Sequence, residues 1–88
     1  MILARKKKVL SRLNRIEGQI RGLRKMVEND AYCIDVITQT SAVKRALSGV
    51  EDELMENHLE TCAMDQVKKG NSAKAKAEIL KVYRLKRP

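Results

Sequence analysis

The only histidine of this 88-residue chain, His58, lies four residues before Cys62, one of its two cysteines. Side chains four residues apart on an α-helix share one face, with Cβ atoms about 5–6 Å apart, so this pair can bind one metal ion. Cys33 lies 25 residues before His58. In an unbroken helix, a rise of about 1.5 Å per residue separates these two residues by roughly 37 Å. A site with all three ligands therefore closes only between two copies of the chain.

Two thiolates and one imidazole form a soft ligand set, which suits Cu(I) or Zn(II) and excludes Mg²⁺ and Ca²⁺. Structural zinc usually takes four protein ligands, whereas three are enough for Cu(I), so the ligand count favours copper. The alternative is that Cys33 and Cys62 are small core residues and that His58 lies on a packed surface. The use of the only histidine at this spacing weighs against that alternative.

Composition predicts one small, all-helical domain over residues 1–88. The chain has two Tyr, no Phe, no Trp and one Pro, so its core must consist of aliphatic residues and Met. A chain of this length buries little apolar surface alone and is expected to oligomerise. No apolar stretch is long enough for a signal peptide or a membrane span, which predicts a cytoplasmic protein with reduced thiols.

The net charge of +8 is divided into three blocks. Residues 1–29 contain nine basic and two acidic residues, residues 30–65 contain two and eight, and residues 66–88 contain eight and one. Solvation alone does not require same-sign blocks of this size, and two basic blocks per chain fit a polyanion such as DNA. An acidic membrane surface is the competing partner, but the basic segments lack the large apolar face of an interfacial helix.

Apolar residues recur every three or four positions and predict three helices without any strand. The first helix is expected from about residue 5 to residue 28. The second is expected to begin after an N-cap at Asn29 or Asp30 and to end at Gly70. A shorter third helix is expected over about residues 72–85.

Three small residues of the second helix, Ala42, Ala46 and Gly49, lie near the midpoint between Cys33 and Cys62. They allow two antiparallel copies of this helix to approach closely, which brings each Cys33 to the other two ligands of its partner. They also suit close packing against the first helix of the same chain. The sequence leaves both alternatives open.

Three motifs are specific enough to suggest a family: Arg15-Ile16-Glu17-Gly18-Gln19-Ile20-Arg21-Gly22, Tyr32-Cys33-Ile34-Asp35-Val36 and His58-Leu59-Glu60-Thr61-Cys62. Through them the chain resembles the CsoR/RcnR family of bacterial metal-responsive repressors, and within it the copper-sensing branch. The resemblance implies a three-helix protomer, an antiparallel four-helix bundle in the dimer and a dimer of dimers, hence a homotetramer. It also implies operator binding that is lost when Cu(I) binds.

The ligand positions of the family distinguish its branches, and this chain resembles the copper branch. Nickel and cobalt sensors use extra histidines, the persulfide-sensing branch lacks a histidine at the position of His58, and formaldehyde sensors lack a cysteine at the position of Cys62. Tyr32 and Glu78 match family positions that support the metal-bound histidine. A hydrogen bond to its far nitrogen would fix the tautomer and pass the binding event to the third helix.

The first helix carries basic residues at spacings of three and four, which we call the basic stripe: Arg5, Lys8, Arg12 and Arg15. The resemblance places operator contact on Arg12 and on the basic residues of the second helix, Lys44 and Arg45. It also shows one departure, because the second-helix arginine of the family is replaced here by Gly49. Solvation explains any one of these cations but not the whole stripe.

The sequence thus predicts a cytoplasmic, DNA-binding transcriptional repressor that senses Cu(I). An enzyme is not expected, because the chain offers no set of nucleophile, base and oxyanion donors. One alternative is a thiol or persulfide switch, in which Cys33 forms a link to the partner's Cys62. Another is a metal chaperone, which would not bind DNA sequence-specifically.

Overall fold

The computed structural model describes residues 1–86, and within this range the chain forms helices and turns but no strand. The elements are α1 (Leu3–Glu28), α2 (Cys33–His58), a π-helical turn (Leu59–Ala63), α3 (Met64–Lys68) and α4 (Ser72–Leu85). The backbone stays helical from α2 through the π turn into α3. The all-α fold and its three helical segments are therefore confirmed. Arg87, the last cation of the C-terminal basic block, lies outside the described residues.

The turn between α1 and α2 shows one error in the sequence-based prediction. Asn29 is the C-cap of α1, and Asp30 has a φ of 54°, a left-handed conformation that ends a helix and that Asp tolerates. The N–H of Val36 bonds to the carbonyl of Tyr32 at 3.2 Å, so α2 begins after Tyr32. The expected N-cap at Asn29 or Asp30 is wrong, because these residues complete the end of α1 instead.

The break before the last helix is confirmed. Gly70 has a φ of 78°, a conformation that glycine adopts without steric conflict. Asn71 takes the N-cap position of α4, although its side chain makes no capping hydrogen bond. Its backbone N–H bonds instead to the carbonyl of Gln66 at 2.7 Å, which fixes the turn between α3 and α4.

Residues Met1–Leu54 form one compact unit, and the residues from Met55 onward form a second. The core of the first unit contains two residues of α1 and two of α2: Val9, Ile16, Val43 and Val50. Burial of each such side chain stabilises the fold by about 1.5–3 kcal/mol. In the second unit, Ala63 and Ala75 are buried where the π turn and α3 meet α4. The expectation of one domain over residues 1–88 stays a prediction.

The small residues of α2 contact α1 of the same chain. Ala46 is partly buried against the core of the first unit. A Cβ added at Gly49 would lie 3.2 Å from Nη1 of Arg12, so the missing side chain makes room for this guanidinium. These contacts favour packing against α1, rather than close approach of two copies, as the role of Ala46 and Gly49.

Aliphatic side chains of the first unit remain exposed in the single chain: Leu10, Ile20, Val27, Ile34, Ile37 and Leu47, with exposed fractions of 42–63%. Leu10, Ile20, Val27 and Leu47 follow the three- and four-residue apolar spacing of their helices, yet none of the four is buried here. None of the helices within the described range is long and apolar enough to cross a membrane.

Candidate metal site and nucleic-acid interface

The π turn lies between His58 and Cys62. His58 is the last residue of α2, and Cys62 is the fourth residue of the π turn Leu59–Ala63. The two side chains therefore come from one continuous helical segment, as their spacing predicts. The wider i→i+5 turn changes the angle between them from that of a regular α-helix. Such single π turns inside α-helices occur frequently at functional sites.

The imidazole of His58 has an unused nitrogen. Its Nε2 atom is buried and has no hydrogen-bond partner. A neutral imidazole carries one donor and one acceptor nitrogen, and a buried polar atom without a partner costs about 1–3 kcal/mol. A ligand or a second hydrogen-bonding group at this nitrogen would remove that penalty. The His58 side chain thus fits the role of a metal ligand, or of a residue whose Nε2 atom gains a hydrogen-bond partner from a bound group.

Cys62 carries an exposed thiol that is not in a disulfide and that contacts the side chain of Thr61. The Thr61 hydroxyl donates to the carbonyl of Asn57 at 2.7 Å and lies 3.6 Å from Sγ of Cys62. The hydroxyl has only one hydrogen, so the sulfur is at most a weak second acceptor beside the Asn57 carbonyl. Among the described residues the sulfur makes this one weak contact and no strong one, so Cys62 is available as a metal ligand.

Cys33, the third predicted ligand, is the first residue of α2 and also carries an exposed, unpaired thiol. Within residues 1–86 of a single chain, no group of three or more His, Cys, Asp or Glu side chains is placed to hold a metal ion. The structure thus brings His58 and Cys62 onto one segment and leaves Cys33 at the opposite end of α2.

Tyr32 and Glu78, the expected supports of the histidine, have different environments. Tyr32 precedes α2 and is 71% exposed. Glu78 is half-buried on α4, where its Oε1 accepts a 2.7 Å hydrogen bond from Nε2 of Gln66 on α3. Glu78 is therefore bonded to Gln66, while Nε2 of His58 has no partner. The sequence analysis did not identify Gln66, although its position four residues after Cys62 places it one turn further along the same segment.

Most of the basic stripe converges on a single carboxylate of α2. The side chain of Glu53 is only 10% exposed, and its Oε2 lies 2.8 Å from Nη1 of Arg5. Its Oε1 lies 2.9 Å from Nζ of Lys8 and 3.9 Å from Nη2 of Arg12. Hydrogen bonds from Lys8 and then Arg5 hold the pKa of Glu53 below its ordinary value, although burial acts in the opposite direction. The carboxylate is therefore charged at neutral pH.

Glu53 was missed by the sequence analysis, but its position carried a signal. It lies three residues after Val50, on the helix face that packs against α1. A carboxylate on a buried face requires a cationic partner, and the basic stripe of α1 supplies one.

The other predicted DNA contacts are available to solvent. Arg15 of α1 and the adjacent Lys44 and Arg45 of α2 are exposed. They make no ion pair within the part of the chain that the structure describes. The first unit thus presents exposed cations from both of its helices, which is the kind of surface that binds a polyanion.

The sequence matches the family model for metal-sensitive transcriptional repressors over residues 5–84. The chain belongs to this family. As a family of transcriptional repressors, it is a class of regulators and not of enzymes. The resemblance inferred from the motifs is thereby confirmed.

Similar proteins support the assignment. The repressor is 44% identical over 79 residues to the copper-sensing transcriptional repressor CsoR of Bacillus subtilis (strain 168), covering 90% of this chain and 78% of that protein.

Among solved structures, it is similar to the copper-sensing repressor CsoR with Cu(I) from Geobacillus thermodenitrificans NG80-2, with a TM-score of 0.87 and 35% identity over 97% of this chain and 88% of that one. It is also similar to the nickel-responsive transcriptional regulator InrS, with a TM-score of 0.74 and 33% identity over 89% of this chain and 88% of that one.

Proposed function

We propose that this repressor senses Cu(I) and binds operator DNA only while it is free of copper. Cu(I) would bind to Cys33 of one protomer and to His58 and Cys62 of its neighbour. The observation that carries this proposal is the buried, unpartnered Nε2 of His58 on the same helical segment as the exposed thiol of Cys62. Both groups are soft or borderline ligands, and neither is committed to a strong internal contact.

The residues present fit copper better than the other metals considered. Two thiolates and one imidazole suit Cu(I), whereas structural zinc usually needs a fourth protein ligand. One relative responds to nickel, but nickel sites favour nitrogen ligands, and this chain has a single histidine. Cys33, His58 and Cys62 would hold Cu(I), and the ion would supply a soft Lewis acid that the thiolates and the imidazole of two protomers share. The relatives named for copper agree with this choice of metal.

A site shared between protomers follows from the positions of the ligands along α2. Cys33 begins this helix and His58 ends it. At about 1.5 Å per residue the two residues are roughly 37 Å apart, far beyond any metal–ligand distance. An antiparallel partner helix would bring the partner's Cys33 to His58 and Cys62. The exposed aliphatic row of the first unit supports such pairing, since apolar surface of this kind is usually covered by another subunit.

The proposed assembly is a homodimer with a four-helix bundle, and two dimers form a tetramer as the family resemblance implies. The DNA face consists of the basic stripe (Arg5, Lys8, Arg12 and Arg15) together with Lys44 and Arg45. The reducing cytoplasm, where bacterial DNA also lies, would keep both thiols available.

Copper would act by favouring an arrangement of the subunits that has lower affinity for DNA. Glu78 and Tyr32 would support the histidine when the metal is bound. Because binding free energies are linked, operator DNA must weaken Cu(I) binding by the same factor by which Cu(I) weakens DNA binding. This reciprocity gives an independent check on the coupling.

The proposal is tested by fluorescence anisotropy of a labelled duplex from the protein's own promoter. The complex is titrated anaerobically with Cu(I), Zn(II), Ni(II) and a polysulfide in separate experiments. We expect Cu(I) alone to release the DNA, with an end point of about one ion per protomer, as symmetric dimer sites require. Release by polysulfide but not by Cu(I) would establish the thiol switch. Copper binding by a protein that does not prefer the promoter duplex would indicate a chaperone.

A further inference from the structure

We propose that Glu53 is an internal competitor of DNA, which occupies part of the basic stripe in the free repressor and must be displaced from it by operator phosphates. The inference rests on the proposed DNA-binding function and deepens it. It assigns to one carboxylate of α2 the role of setting how tightly, and with what salt dependence, the repressor binds its operator.

The ion pairs of Glu53 occupy both of its oxygens. Oε2 accepts from Arg5 at 2.8 Å, and Oε1 lies 2.9 Å from the ammonium of Lys8. The Arg5 side chain is only 17% exposed, so this guanidinium lies against α2 and is not presented to solvent. The Lys8 side chain is 57% exposed and is therefore the member of the pair that a phosphate reaches first.

Arg12 is held less tightly than the other two cations. Its Nη2 lies 3.9 Å from Oε1 of Glu53, at the outer limit of an ion pair, and its side chain is 41% exposed. Its Nη1 lies over Gly49, where even a Cβ would come within 3.2 Å. The absence of a side chain at position 49 thus lets Arg12 lie along α2 beside the carboxylate.

The charge of Glu53 opposes DNA in two ways. It has the same sign as a phosphate and lies within the face that would contact phosphates, so it repels them directly. It also neutralises cations in advance, and a cation that is already paired releases fewer counterions from DNA when it binds. If Glu53 instead presented the cations to DNA, the Arg5 side chain would have to point toward solvent. The low exposure of Arg5 argues against such a role.

The test is the replacement Glu53→Gln, which keeps the size of the side chain and removes its charge. Glu51→Gln is the matched control, because Glu51 is exposed on the same helix, two residues away, and makes no ion pair within the described range. Anisotropy with the promoter duplex is measured for the copper-free proteins over a series of salt concentrations. Circular dichroism and the oligomer mass establish that each variant is folded and assembled.

We expect Glu53→Gln to bind the promoter duplex about 3- to 10-fold more tightly than the Glu51→Gln protein at moderate salt. The slope of log K against log salt should steepen by about one for each contacting protomer, because one further cation becomes available to DNA. Binding equal to or weaker than that of Glu51→Gln would overturn the inference.

A second variant, Glu53→Asp, keeps the charge but withdraws it by one methylene, and it serves if Glu53→Gln does not fold. It should also bind DNA more tightly than the wild type, by a smaller factor, and weaker binding would again contradict competition. Failure of the wild-type protein to prefer its promoter over a scrambled duplex would overturn the proposed function itself. The two failures are therefore distinguishable.

Discussion

Gln66 of α3 donates a 2.7 Å hydrogen bond from its Nε2 atom to Oε1 of Glu78 on α4. This bond joins the helical segment that carries Cys62 to the last helix of the chain. A displacement of that segment relative to α4 would strain or break this bond. The Nε2 atom of His58 has no hydrogen-bond partner in this structure, so Glu78 is bonded to Gln66 and not to that nitrogen.

Replacement of Glu78 by Ala should separate copper binding from copper response. The variant keeps both thiolates and the imidazole, so it should still bind Cu(I), with affinity weakened by about 10-fold or more. If α4 responds to the metal through Glu78, the copper-saturated variant should stay on the operator. The measurement is the ratio of DNA affinities with and without copper at saturation, with Lys81→Ala as a control on the same helix. A full wild-type ratio for Glu78→Ala would exclude Glu78 from the coupling.

The double replacement of Arg12 and Arg15 by Ala should weaken operator binding without changing copper affinity. Loss of two phosphate-binding cations should reduce the salt slope by about one to two for each contacting protomer. Anisotropy over a salt series measures both quantities, and Arg24→Ala, an exposed cation outside the basic stripe, is the control. A double variant with wild-type affinity and slope would show that the DNA face lies elsewhere, and the C-terminal basic block would be the remaining candidate.

Replacement of His58 by Ala distinguishes the copper sensor from a thiol switch. Copper sensing requires the imidazole, so DNA release by Cu(I) should be lost. A switch that links Cys33 to the partner's Cys62 needs only the thiols and should survive in this variant. The readout is release of the promoter duplex by Cu(I) and by polysulfide, measured side by side. Retained copper response in His58→Ala would remove the histidine from the site.

The ion pairs of Glu53 predict a loss of stability in acid. Because its pKa is lowered in the folded protein, the charged carboxylate stabilises the fold above its ordinary pKa of 4.5, and this contribution disappears as the pH falls through the lowered value. Urea unfolding at a fixed protein concentration should give the wild type a larger free energy of unfolding than Glu53→Gln at pH 7. The two free energies should converge at low pH. Glu51→Gln controls for the loss of a negative charge. A difference that grows toward low pH would contradict this account.

The sequence specified the helices because helix formation depends on local spacing. The apolar period located α1 and α4 to within two residues, and Gly70 marked the turn before α4. The N-cap of α2 was misplaced, since Asn and Asp suit both the end of one helix and the start of the next. The π turn carries no comparable local signal, because residues Leu59–Ala63 read as ordinary helix formers.

The placement of His58 and Cys62 on one helical segment was predictable, whereas the surroundings of these two residues were not. The spacing of His58 and Cys62 required only the geometry of one helix. Contacts between helices, such as Gln66 with Glu78, depend on how α3 packs on α4, which a single sequence does not reveal. The exposure of Leu10 and Leu47 could not be predicted for the same reason. A periodic pattern marks an apolar face but does not show which chain covers it.

The most direct test of the shared site is complementation between two inactive variants, Cys33→Ala and His58→Ala/Cys62→Ala. Neither can form a complete site alone. After equimolar mixing and verified subunit exchange, half of the dimers should be mixed and should hold one intact site each, which restores about a quarter of the wild-type sites. Cu(I) binding at that level, measured in competition with a chelator, is the predicted result. A mixture that has exchanged subunits and still binds no Cu(I) would contradict a site shared between protomers.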